Sequence, residues 1–211
     1  MPDILHRVGV RGAAEKVDGP GVEPRGGRVV EQLKGAKRRR PRCSVFVAIS
    51  LDGYLARLDG SIDWPSLVQQ EGEDYGYQQF IDSVDAVVIG RRTYDTALGF
   101  DAWPYSGKRC IVLTHRPPVA RHGEEFYAGS PPDLVGQLGS DGAKHLYVDG
   151  GAVIREFLAA RLIDDLTLSV IPVLLGAGIP LFAGAQPERR LTLDEARSWP
   201  TGLTRLRYHL G

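Results

Sequence analysis

Cysteine occurs only twice in this 211-residue chain, at Cys43 and Cys110. That is too few for a disulfide framework and leaves no metal-binding spacing, so no metal is expected and a reducing, cytoplasmic setting fits. No apolar stretch reaches the roughly eighteen residues of a membrane-spanning helix, and no membrane partner is expected. Charge of one sign is not in excess: 26 Lys/Arg stand against 26 Asp/Glu, which gives no general reason to expect nucleic acid. The tripeptide His122-Gly123-Glu124 opens like a zinc deaminase signature. No Pro-Cys-x-x-Cys follows it, so the remaining zinc ligands are missing.

Aromatic residues are absent from positions 1–42, which hold seven glycines and end in KGAKRRRPR, Lys34 to Arg42. Such a segment can bury too little apolar surface to offset its ordering entropy, so a disordered extension is predicted over 1–42 and a folded domain over 43–211. The extension lacks the apolar core of a secretory signal. It contains eleven of the 26 Lys/Arg and five of the 26 Asp/Glu. The neutral total therefore hides a basic start and an acidic remainder. A basic cluster can bind polyanions or address a protein, but charge runs are usually solvated.

What is present suits one substantial core: 43% of residues are hydrophobic, with eight tyrosines, six phenylalanines and three tryptophans, enough for a single globular domain. Strand-like runs span Ser44 to Ser50, Ala86 to Gly90, Arg109 to Thr114, Glu125 to Ala128, Lys144 to Asp149 and Asp165 to Leu175. Helical patterns lie between them at Tyr75 to Asp82, Thr93 to Leu98, Pro132 to Leu138 and Ala152 to Ala160. Nearly continuous apolar strands alternating with helices predict an α/β fold, a mostly parallel central sheet flanked by helices. Two alternating segments near the C terminus, RRLTLDEARSW and GLTRLRYHL, predict antiparallel strands that close the sheet.

Ligands of open parallel sheets lie beyond the carboxyl ends of the strands. Two turns there stand out, Gly90-Arg91-Arg92-Thr93 and Asp149-Gly150-Gly151-Ala152, each running into a predicted helix. Helix N-termini offer unpaired N–H groups, and glycine lets a ligand approach the backbone. Each turn has a structural reading too: a tight Gly-Gly turn, a solvated arginine pair, Thr93 as an N-cap. Together they favour a nucleotide site, although neither has the spacing of Gly-x-Gly-x-x-Gly or of a Walker A loop. The segment LDGYLARLDGSIDW, Leu51 to Trp64, has two Asp-Gly turns and reads as a loop over a ligand or as a hairpin. Glu71, Glu73 and Asp74 precede a helix, where carboxylates are favourable against its dipole.

Read in order, SLDGYLARLDGSIDW, AVVIGRRTYDT, KRCIVLTHR, LYVDGGAVIREFL and VIPVLLGAGIPLF resemble the dihydrofolate reductase superfamily. The closest branch contains the reductase domain of bacterial riboflavin biosynthesis. The resemblance covers about residues 43 to 210 and implies a dihydrofolate reductase-like fold and an NADPH-dependent reductase. It implies that Gly90, Arg91 and Thr93 bind the adenosine side of NADPH, with Arg91 near the 2′-phosphate and Arg92 able to share that work. Leu113, Thr114, His115 and Arg116 match the adenine and 2′-phosphate strand end. Val148, Gly150, Gly151, Ala152, Val153 and Ile154 match the glycine-pair segment along the diphosphate, whose Gly-Gly peptide is often cis in the family. Ala48 and Leu55 match positions flanking the nicotinamide, and Asp59 and Gly60 begin the mobile loop that runs to Trp64.

The resemblance further implies one acidic proton donor, for which Asp74 is the candidate, with Glu71 and Glu73 beside it. The substrate class is a small pterin or pyrimidine, foremost the ribosylaminopyrimidine of riboflavin synthesis. Arg57 and Lys108 are candidates for its 5-phosphate. A stand-alone oxidoreductase of another carbonyl or imine, or a nucleotide-binding protein without turnover, stays open beside it. Family members are frequently dimers, and Val170 to Phe182 could form a homodimer interface or an internal strand and loop.

Overall fold

The computed structural model describes residues 40–184 and 188–211. Most of the expected extension, residues 1–39, lies outside the described residues. The first strand, β1 (Arg42–Ser50), is buried along its whole length after Arg42, as a strand covered on both faces must be. It leads to β2 (Tyr54–Ala56), a 3-10 turn at Trp64–Val68 and α1 (Tyr77–Asp82). Next come β3 (Ala86–Gly90), α2 (Arg91–Ala97), β4 (Arg109–Leu113), β5 (Glu125–Tyr127) and α3 (Pro131–Ser140). The chain continues through β6 (His145–Asp149), α4 (Gly151–Ala159), β7 (Asp165–Ile171) and β8 (Ile179–Pro180), and ends in β9 (Thr192–Ser198) and β10 (Thr204–His209).

Eight strands form one sheet in the order β5-β4-β3-β6-β1-β7-β10-β9, while β2 and β8 pair separately. The first six of that order run parallel, and β10 and β9 continue the sheet antiparallel, as the C-terminal alternation predicts. Residues two apart along a strand share a face, and the core divides accordingly. Val45, Val47, Val88, Ile111 and Val148 meet Leu134 and Leu138 of α3 and Ile154 and Phe157 of α4. Phe46, Val87, Ile89, Val112 and Tyr147 meet Tyr77 and Ile81 of α1 and Tyr94 of α2. A third cluster, Ala48, Trp64, Val68, Tyr75, Ile171, Trp199 and Leu203, sits where the loop after β2 meets the C-terminal hairpin.

Element ends differ from the sequence expectation in instructive ways. The seventh strand stops at Ile171 rather than Leu175, because Pro172 has no N–H to continue the ladder. Helix α2 starts at Arg91 with Gly90 in the N-cap position and no side-chain cap, so Thr93 is not the N-cap. Helix α1 starts at Tyr77 rather than Tyr75, since Tyr75 and Gly76 have φ of 55° and 82°. The folded domain also includes residues ahead of 43. The Arg40 guanidinium donates to both oxygens of Asp164 at 2.8 and 2.9 Å, and Arg42 pairs with Asp165.

Candidate active site

Strands β3 and β6 are neighbours, with Ile89 opposite Asp149, so the two turns singled out in the sequence emerge side by side. They touch. A Cβ on Gly150 would fall 2.3 Å from Thr93 Oγ1, and Gly150 has φ +90°, a region an L side chain enters only with strain. A Cβ on Gly151 would fall 2.9 Å from Leu55 Cδ1 and 3.0 Å from an Arg155 nitrogen. Glycine at both positions thus keeps the turns and the β2 segment close around one space. All described peptide bonds, Gly150–Gly151 included, are trans, unlike the form often found in the family.

That space is a cavity of about 760 Å³, within the roughly 300–1,000 Å³ usual for small-molecule and cofactor sites. Its wall contains Leu55, Asp59, Gly60, Gly90, Arg91, Arg92, Thr93, Leu113, Gly150, Gly151, Ala152 and Val153, twelve of the residues named from the sequence. Ala48, Val148 and Ile154 are buried in the core and do not line it. Thr114, His115 and Arg116 follow β4 and do not line it, although the Arg116 carbonyl accepts an N–H of Arg91 at 2.7 Å.

Two of the three carboxylates ahead of α1, Glu73 and Asp74, are occupied elsewhere, and Glu71 is exposed and absent from the cavity wall. Asp74 accepts the Gly76 and Gln78 N–H groups on its two oxygens, each at 2.8 Å, and is absent from the cavity wall. Glu73 accepts from the Tyr75 N–H and the Trp199 indole, tying this loop to the C-terminal hairpin. The cations suggested for a substrate phosphate do not line the wall either. Arg57 pairs with Asp63 at 2.8 Å, and Lys108 donates to the carbonyls of Asp82 and Val84.

Several wall residues were given no role from the sequence: Asp95, Phe100, Tyr105, Arg155, Glu156 and Ile179, and also Asp149, although it opens one of the two turns. Asp149 is the buried carboxylate among them, 3% exposed, with one oxygen accepting the Gly150 N–H at 2.7 Å and the other facing the Tyr105 hydroxyl at 3.2 Å. Burial first, and then the Asp149 charge, push the Tyr105 phenol well above its ordinary value, so it remains a protonated donor. A sequence signal for Asp149 existed: a carboxylate closing an apolar strand just ahead of a glycine pair. Among the described residues no group of His, Cys, Asp and Glu could hold a metal ion, and no helix is long and apolar enough to cross a membrane.

Residues 41–204 match the family model described as the RibD C-terminal domain. The chain belongs to the RibD C-terminal domain family. It is similar to the uncharacterized protein YwjB of Bacillus subtilis, 36% identical over 158 residues, which are 74% of this chain and 90% of that protein. A solved structure, described as a putative riboflavin biosynthesis protein from Shewanella sp. PV-4, is 34% identical with a TM-score of 0.76. It aligns over 81% of this chain and 99% of that one. The fold is shared by a diaminohydroxyphosphoribosylaminopyrimidine deaminase/5-amino-6-(5-phosphoribosylamino)uracil reductase from Thermotoga maritima. That likeness has 14% identity and a TM-score of 0.63 and spans 82% of this chain and 57% of that one. This RibD C-terminal domain thus has the mostly parallel sheet with antiparallel C-terminal strands that its sequence implies, with the two turns at the carboxyl ends of β3 and β6.

Proposed function

We propose that this chain is an NADPH-dependent reductase that adds hydride to a polarised C=O or C=N carbon of a small pterin- or pyrimidine-type substrate. The first candidate is 5-amino-6-(5-phosphoribosylamino)uracil, named for the Thermotoga maritima protein. The observation that carries this reading is the convergence of the β3–α2 and β6–α4 turns on one cavity, with Thr93 against Gly150. The residues present fit a dinucleotide. Gly150 and Gly151 expose backbone at the start of α4, where N–H groups and the helix dipole favour a diphosphate. Arg91 and Arg92 offer guanidinium groups to a 2′-phosphate, with Gly90 and Thr93 beside them. Leu113, Thr114, His115 and Arg116 take the adenine side, Leu55 the nicotinamide, and Asp59 and Gly60 the covering loop.

Bound NADPH supplies the hydride. The protein must then deliver a proton to the substrate atom that gains charge, which requires an acid within hydrogen-bond reach. Asp149 lines that space and can pass on a proton taken from water, with the Tyr105 hydroxyl and the Gly150 N–H fixing its carboxylate at the wall. Asp74, the donor implied by the resemblance, would have to leave its two backbone partners to serve. Arg155 is a wall cation available to a substrate phosphate, since among the described residues only one of its nitrogens is hydrogen-bonded, to the Pro180 carbonyl at 2.8 Å. A homodimer through the exposed Leu174 and Phe182 belongs to the same proposal, with sedimentation velocity as its check.

The deciding experiment follows NADPH absorbance with the full chain and 5-amino-6-(5-phosphoribosylamino)uracil or related pterins. Steady consumption supports the reductase. NADPH binding without turnover on any of them leaves a nucleotide-binding protein, and absence of binding removes both readings.

A further inference from the structure

Arg91 and Arg92 enter the cavity wall together but in different states. Arg91 Nε donates to both oxygens of Asp95, at 2.8 and 3.0 Å, and one of its terminal nitrogens donates to the Arg116 carbonyl at 2.7 Å. Arg92 has no hydrogen-bond or ion-pair partner among the described residues. Asp95 lines the same wall, one helical turn after Arg91, so a phosphate drawn to the arginines meets a carboxylate too. A guanidinium whose Nε edge is taken can no longer offer the side-on fork that phosphate prefers. The free fork is that of Arg92.

We propose that Asp95 sets how strongly this site discriminates a 2′-phosphorylated dinucleotide from an unphosphorylated one, and that it holds the discrimination down. It does so by engaging Arg91 and by repelling the phosphate, so that Arg92 carries most of the preference. The inference rests on the NADPH reading above. The side chains of Arg91 and Asp95 are 40% and 50% exposed, and exposed i,i+4 pairs are weak. The phosphate is therefore disfavoured rather than shut out. Like charges several ångströms apart near a protein surface, screened by physiological salt, change affinity by about three- to tenfold.

Fluorescence titration of the full chain with NADPH and NADH tests this, with adenosine 2′,5′-bisphosphate as a fragment that reports the phosphate end alone. Asp95→Asn keeps the side-chain shape and removes its charge. It is expected to raise the NADPH-over-NADH ratio about three- to tenfold by tightening NADPH and the bisphosphate, with NADH unchanged within about twofold. The gain should shrink as salt is added, and Asp95→Ala should follow the same direction. Arg92→Ala should lower the ratio more than Arg91→Ala. An unchanged or reduced ratio in both Asp95 variants, in protein that melts like wild type, overturns the proposal, because Asp95 then merely orients Arg91. Wild-type protein that binds neither dinucleotide would instead remove the NADPH reading itself.

Discussion

The two ends of the parallel sheet carry similar chemistry in opposite states. At the amino ends of the strands charges are answered: Arg40 by Asp164, Arg42 by Asp165, Arg109 by Glu125 and Asp141. Ser44 lies between Asp165 and His145, and His209 reaches Asp165 at 2.7 Å. Burial opposes ionisation of Asp165, but Arg42, Ser44 and His209 outweigh it and hold the carboxyl below its ordinary range. At the carboxyl ends, Arg92 has no hydrogen-bond or ion-pair partner among the described residues, and Asp149 meets uncharged donors, the Tyr105 and Tyr147 hydroxyls and the Gly150 N–H among them. Charge density alone does not mark a binding site. Unanswered charges around a cavity do, whereas Arg40 and Arg42, at the end of the basic run, belong to a structural seam.

The strongest way to break this contrast is Asp149→Asn. If proton delivery runs through Asp149, kcat should fall by about 10²- to 10⁴-fold with nucleotide affinity nearly intact, as read by turnover beside fluorescence titration. A fall of less than fivefold would return the role to Asp74 or to water. The reverse is expected of Asp165→Ala at the other end. Loss of a buried carboxylate with three side-chain partners should cost about 2–3 kcal/mol in urea unfolding, while nucleotide affinity stays unchanged.

Glu124, just before β5, sharpens the comparison through pH. Burial opposes its ionisation, and the Tyr94 hydroxyl and the N–H groups of Arg121 and His122 overcome that, bringing the carboxyl to about 2. Its folded value lies below the ordinary 4.5, so its contribution to stability is complete above that pH and is lost as pH falls toward about 2. Glu124→Gln should destabilise by about 1–2 kcal/mol at neutral pH, and thermal melts of variant and wild type should converge at acid pH. The smallest effect is expected at Asp74. Asp74→Ala should lower stability by about 1 kcal/mol through loss of a helix-end acceptor and leave turnover within threefold. A hundredfold loss of turnover would show that Asp74 moves to the substrate.

Much of this was legible in sequence, for identifiable reasons. Five of the six parallel strands and the antiparallel pair run five residues or more, long enough for their patterns to show, and the two turns announce themselves by glycine beside arginine or aspartate. The ribbon of β2 and β8 has only three and two residues, too short for a pattern. Pro172 was a readable stop that the apolar run Val170 to Leu175 obscured. The Tyr105–Asp149 contact joins residues 44 apart in the chain, a separation at which local pattern says nothing. Asp74 shows the converse: an acidic residue before a helix is favoured there by the backbone itself, so position alone could not separate a cap from a catalyst.

The central place of β1 bears on how the chain reaches this state. Ser44 pairs with Asp165 on one side and Tyr147 on the other, so β1 finds its neighbours only after more than a hundred further residues have been made. Loop closure over that distance must precede the contacts that reward it, which slows folding. During synthesis an apolar strand waits unpaired, and the chain depends on its own second half, or on a chaperone, to cover it.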